Sequence, residues 1–142
     1  MIEKLYRVHN DLAEVARVGD EVRGLWAEHG LPEDLEMPVT LALEEALSNV
    51  IRHGCLPGQE YDIQVRFAAS ERAVEIELSD NARPFDPLSL PPPNLDLPIE
   101  QRKPGGLGVF LVRQLMDEVS YEFRGGRNQL RFRKQLPASA PV

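Results

Sequence analysis

The sequence predicts an α+β fold in which helices lie on one face of a sheet. Three observations predict it. Two stretches within the first 54 residues carry apolar side chains at helical spacing. Five shorter runs read as strands, and the clearest of them alternate apolar with polar residues, as strands with one buried face do. Short turn-forming links join the later runs in pairs, so the pairs are hairpins and the helices collect on one side.

The elements follow in order. "LYRV" (5–8) is a short strand. "NDLAEVARVGDEVRGLWAEHG" is a helix that opens with Asp11 and Glu14 at capping-box spacing. It carries a stripe of Leu12, Val15, Val22, Leu25 and Trp26, and Gly30 and Pro32 stop it. "PVTLALEEALSNVIRHG" is a second helix, with Pro38 in its first turn and Gly54 as its carboxyl cap. "YDIQVRF" and "AVEIELSD" are strands joined through "AASER". "NARPFDPLSLPPPNLDLPIEQRKP" is Pro-rich and too long for a plain connection, which points to a functional lid or a disordered segment. A third helix is expected from about Val109 to Asp117, then a last hairpin of "VSYEF" and "QLRFRK" across "RGGRN".

A length of 142 residues suits one domain with a single core, expected over 1–136, with 137–142 as a tail. The net charge of −7 argues against general binding to nucleic acid or an anionic membrane. A phosphate ligand would have to be held by local backbone groups and a few cations. Cys55 is the one cysteine, so no internal disulfide forms, and it lacks the close companions of a zinc site. The amino end has no signal-peptide core and no apolar run approaches spanning length, so a cytoplasmic location is expected.

On a wheel of the middle helix, Val39, Leu43, Ala46 and Val50 make the core face. Glu44, Ser48 and Arg52 lie far from it and are expected in water. Glu45, Asn49 and His53 form a second stripe beside the apolar one, which places Glu45 and Asn49 at a pocket edge or, on the plainer reading, on a half-wet flank. His53 reads as a structural or capping residue. Asp80 ends an alternating strand. It is either a turn residue or a carboxylate at a strand mouth that accepts a hydrogen bond from an exocyclic amine. Gly105, Gly106 and Gly108 stand against a helix start. They let a phosphate approach unpaired backbone donors, or else serve a flexible loop and a tight packing contact.

Three segments occur in one order: "LALEEALSNVIRHG", "ELSDNARPFDP" and "KPGGLGVFLVRQLMDEVSY". Together they resemble the Bergerat-fold (GHKL) ATP-binding family, and within it the bacterial anti-sigma-factor serine/threonine kinases, over nearly the whole chain. The resemblance implies a two-layer α/β sandwich on a mixed, mostly antiparallel sheet. It implies ATP and Mg²⁺ as ligands, with Glu45 as catalytic glutamate, Asn49 as the magnesium-holding asparagine and Asp80 as reader of the adenine amino group. The glycine segment Gly105, Gly106, Leu107 and Gly108 would lie near the phosphates, and Ala82 and Phe85 beside the base. The stretch of about 86–105 corresponds to the ATP lid. Ala82 departs from the family, which usually has glycine there. The implied activity is phosphorylation of a small anti-sigma-factor antagonist, with a sigma factor or other regulator as a further partner and a homodimer as the assembly. The alternative is a nucleotide-dependent binding module without kinase activity.

Overall fold

The structure, a computed structural model, describes residues 1–89 and 106–137. Strand β1 (Ile2–Val8) leads into helix α1 (Ala13–Glu28) and helix α2 (Glu33–Asn49), which runs on into a π-helical turn, Val50–Gly54. Strands β2 (Ile63–Ala69) and β3 (Ala73–Asp80) form a hairpin, and a 3₁₀ turn covers Pro87–Ser89. Helix α3 (Gly106–Leu115) and the hairpin of β4 (Glu118–Arg124) and β5 (Arg127–Gln135) complete the order. The five strands lie in one sheet in the order β1-β2-β3-β5-β4. Every pairing is antiparallel, so the sheet is not mixed among the described residues. The α+β class expected from the sequence is the one observed.

Strand alternation sets the layers. Ile63, Val65 and Phe67 of β2, Ile76 and Leu78 of β3, and Leu130 and Phe132 of β5 are buried on one face. Val18, Val22 and Trp26 of α1 and Val39, Leu43, Ala46 and Leu47 of α2 join the same core. The Trp26 ring meets Phe67 edge to face, with centroids 6.5 Å apart, and its indole N–H donates to the Pro32 carbonyl at 2.7 Å. Charged pairs such as Arg131–Glu77 and Arg66–Glu3 lace alternate positions of the strands. No helix among the described residues is long and apolar enough to cross a membrane.

Several sequence expectations are corrected. Helix α2 begins at Glu33, five residues before Pro38, which lies inside it. Glu33, Asp34 and Glu36 follow Pro32, and carboxylates in a first turn are favoured by the helix dipole. Pro38 removes one ladder donor and crowds the preceding turn, yet the helix runs on through it, with Val39, Leu43, Ala46 and Leu47 buried in the core. Leu12 is exposed rather than part of the α1 stripe, because the helix starts after it, and Val18 takes the buried place instead. Asp11 accepts from the Ala13 N–H at 3.0 Å, and Glu14 reaches past it to the His9 N–H at 3.1 Å, a shifted version of the capping box. Glu44 does not face open water. It pairs with Arg23 of α1, which also bonds Asp20 and Glu36. Gly19 makes room for this, since a Cβ there would collide with Glu44 Oε1. Gly125 and Gly126 close the last hairpin at φ 61° and 77°, the left-handed pair that a tight two-residue turn needs.

Phe67 fills the centre of the helix-sheet interface without solvent contact. Phe67→Ala is expected to lower unfolding stability by about 3–5 kcal/mol. Urea titration followed by Trp26 fluorescence checks this. A loss under about 1 kcal/mol would mean that the ring is not a core residue.

Candidate functional site

A cleft opens between α2, the carboxyl end of β3, α3 and the β4–β5 hairpin, with a volume of about 560 Å³ counted out to its mouth. Its lining is largely apolar, including Ala46, Val50, Leu78, Val112 and Leu130, with Asn49, Asp80, Arg83, Tyr121 and Asn128 as the polar groups. A few convergent polar groups in an apolar cleft are the usual build of a small-molecule site.

Asp80 is the focus. It is the last residue of β3 and shares the inward face of Ile76 and Leu78, so alternation drives a carboxylate into the core edge, where it is 2 % exposed. Asn128, 6 % exposed, stands directly opposite on β5. Its Nδ2 donates to Asp80 Oδ1 at 2.9 Å and to the carbonyls of Ala82 at 3.3 Å and Arg83 at 3.1 Å. Its Oδ1 accepts from the Phe85 N–H at 3.1 Å and from the Tyr121 hydroxyl. The Ala82 N–H also donates to Asp80 Oδ1, at 3.0 Å. Both readings of Asp80 therefore coexist. Oδ1 makes the turn, while Oδ2 has no hydrogen bond among the described residues. Burial pushes the Asp80 carboxyl above the usual carboxylate range, against the opposing pull of the Asn128 and Ala82 hydrogen bonds and the Arg127 charge.

Asn49 is the last residue of α2 and lines the cleft. Its carboxamide makes no hydrogen bond with a described residue, so it is available to a ligand. The π-helical turn that follows carries Gly54 to the cleft wall. Wide turns of this kind recur at functional sites. Phe85 also lines the cleft, and its ring lies 6.2 Å from that of His53, whose carbonyl accepts from Arg83 Nη2 at 2.8 Å. Thus His53 has a structural part, as its place in the sequence suggested.

Ala82 stands behind Asp80 and is 5 % exposed. Its backbone has no left-handed φ, so its methyl adds no strain. That methyl faces Gly54, where an added Cβ would lie 3.3 Å from it. Ala82 is not among the residues lining the cleft, and neither is Glu45, half-buried one turn before Asn49. Gly106, Leu107 and Gly108 are helical rather than ahead of the helix. Glycine is a weak helix former, by about 0.5–1 kcal/mol relative to alanine, so these positions cost the helix a little stability. Gly105, and 90–105 of the expected lid, lie outside the described residues, as do 138–142 of the expected tail. Of the stretch expected to be a lid, Pro87 and Leu88 line the cleft, and Arg113 of α3 donates to the Leu88 carbonyl at 2.6 Å.

Sequence reasoning missed Asn128, Tyr121 and Arg83. Asn128 looked like part of a turn, since it follows Gly125, Gly126 and Arg127. The signal that finds it is parity. Asn128, Leu130 and Phe132 alternate onto one face, and an inward polar residue is the informative exception.

The chain matches the family described as histidine kinase-like ATPase domain over residues 8–134. It is 33% identical over 110 residues to the serine/threonine-protein kinase BtrW of Bordetella bronchiseptica, covering 74% of this chain and 78% of that protein. It is 29% identical over 107 residues to the serine-protein kinase RsbW of Bacillus licheniformis, covering 72% and 67%. Among solved structures, the RsbU and RsbW domains of a Mycobacterium tuberculosis protein superpose with a TM-score of 0.67 at 16% identity, over 100% of this chain and 35% of that one. The histidine kinase domain of a blue-light activated kinase from Erythrobacter litoralis gives 0.56 at 16%, over 88% and 60%. These two likenesses concern the fold.

The raised Asp80 value fixes a stability prediction. A carboxyl that is harder to ionise when folded stabilises the fold fully below the unfolded value near about 3.9, and that contribution is lost as pH rises through the folded value. Asp80→Asn cannot ionise and keeps an oxygen for Asn128 and Ala82. It is expected to be at least as stable as wild type at neutral pH, with the difference shrinking as pH falls. Thermal melts across pH check this, and a variant clearly less stable at neutral pH would contradict it.

Proposed function

The chain belongs to the histidine kinase-like ATPase domain family, and from that premise we propose that it is an ATP-dependent serine/threonine protein kinase of anti-sigma type. Its substrate is a small anti-sigma-factor antagonist of a bacterial partner-switching pathway. A sigma factor or related regulator is its other partner, a homodimer its assembly and the cytoplasm its place. What carries the reading is the meeting of Asn49 from α2 and Asp80 from β3 in one cleft that Val112 of α3 also lines. The kinase names of the relatives above support the reaction class.

In this reading Asp80 Oδ2 accepts the exocyclic amine of adenine, while Leu78, Val112 and Leu130 supply apolar walls. First-turn N–H groups of Gly106, Leu107 and Gly108 donate to phosphate oxygens, with the favourable end of the helix dipole behind them. An acidic chain can hold a polyanion by such local means. The unpaired Asn49 carboxamide is a hard oxygen donor suited to magnesium, which keeps most of its ligands as water and phosphate. Bound there, magnesium would offset charge on the phosphates. Glu45 takes the proton of a serine or threonine hydroxyl as its oxygen bonds to the γ-phosphorus and the bond to the β–γ bridging oxygen breaks, releasing ADP. Ala82 and Phe85 hold the base end through the turn behind Asp80.

A second reading is a nucleotide-dependent binding module without transfer. Glu45, standing outside the cleft lining, favours it. Transfer of radiolabel from ATP to the antagonist separates the two. Glu45→Ala is expected to bind ATP normally and to lose about 10²–10⁴-fold in transfer rate. Undiminished transfer would remove Glu45 from the role of base. Asn49→Ala is expected to lose roughly tenfold or more in calorimetric ATP affinity with magnesium present, and little without it. Equal losses in both conditions would dismiss Asn49 as the magnesium holder.

A further inference from the structure

Asn128 has its whole hydrogen-bonding capacity in use. Its amide protons face Asp80 Oδ1 and the Ala82 and Arg83 carbonyls, and its oxygen faces the Phe85 N–H and the Tyr121 hydroxyl. Turning the amide over would set an oxygen against three acceptors and an NH₂ against a backbone donor, so the surroundings fix its orientation. The consequence falls on Asp80. Two donors, Asn128 Nδ2 and the Ala82 N–H, both go to Oδ1. One carboxylate oxygen belongs to the fold, and the other is left for the cleft. An otherwise symmetric carboxylate becomes a single directed acceptor.

We propose that Asn128, oriented by Tyr121 and Phe85, is the positioning residue for ligand selectivity. By tying up Oδ1 of Asp80 it makes Oδ2 the one outward acceptor, so the cleft selects a purine with an exocyclic amine over one with an oxo group at the same place. The inference rests on the nucleotide reading above and concerns which base that site takes. An oxo group set against Oδ2 meets acceptor with acceptor, and an unmade bond in a buried site is costly. A proton arriving at Asp80 goes to Oδ2, the oxygen without donors, and turns it into a donor that suits the oxo group. The groups around this carboxyl are Arg127 and Asn128 of β5, Tyr121 of β4, and Cys55 just after the π-helical turn, with Asn49 of α2 and Arg83 on the same cleft wall. Arg127 favours the charged form, while burial favours the neutral one.

The test is equilibrium binding of ADP and of inosine diphosphate to the purified chain with magnesium, from about pH 5 to about pH 8. Inosine diphosphate carries an oxo group where ADP carries the amine, and its phosphates match, so the affinity ratio cancels their titration. Wild type is expected to prefer ADP by about tenfold or more at neutral pH, with the preference fading as pH falls. Asn128→Ala removes a donor to the charged carboxylate, so the preference should fade at higher pH than in wild type. Tyr121→Phe removes only the hydroxyl that orients the amide and should shift the profile the same way by less. It decides the matter alone if Asn128→Ala does not fold. If both nucleotides weaken equally in the variants and the pH profile stays put, Asn128 is merely structural and the inference falls while the nucleotide reading stands. Equal wild-type affinity for the two nucleotides also overturns it. A wild-type chain that binds neither removes the nucleotide reading and the inference together.

Discussion

The bonded amide of Asn128 is the constraint on which the cleft depends. A carboxamide 6 % exposed must find partners or destabilise the fold by about 1–3 kcal/mol. Here the partners come from β3, the turn after it, the Phe85 segment and β4. One side chain thus joins the sheet end to the chain that leaves it through Phe85. Asp80 sits at the same node, and its burial is tolerable because β5 brings a donor directly across from it. Without that cross-strand donor, the carboxylate would be buried with only the Ala82 N–H.

The elements were legible where periodicity is long and simple. Alternation in β2 and β3 identified the inward face, and the wheel of α2 put Leu43 and Ala46 in the core. Boundaries were less so. Pro38 was read as a first-turn residue but sits inside α2, while the glycine cluster does mark a helix edge, since α3 starts at Gly106 rather than near Val109. A breaker residue states what it costs at a position, not where the helix begins. The acidic run after Pro32 marks the observed start of α2, where Pro38 does not.

The site divides in the same way. Asn49, Asp80 and Phe85 meet at one cleft, as motif and wheel suggested. Glu44 was expected in water because a wheel knows only its own helix, and Arg23 comes from another. Asn128 went unseen because its partners lie 43 to 48 residues away, apart from Tyr121. Pattern along the chain reports the face a residue takes. It does not report which polar group will be waiting on that face.

The contact between Gly54 and Ala82 extends beyond the site itself. The alanine methyl lies where it meets the α-carbon side of Gly54, so the two positions share one fixed parcel of space. A side chain added at position 54 would press on the Ala82 methyl, so what position 54 tolerates depends on what position 82 carries. Room at one position is thus set by bulk at the other, and the pair behaves as one steric unit.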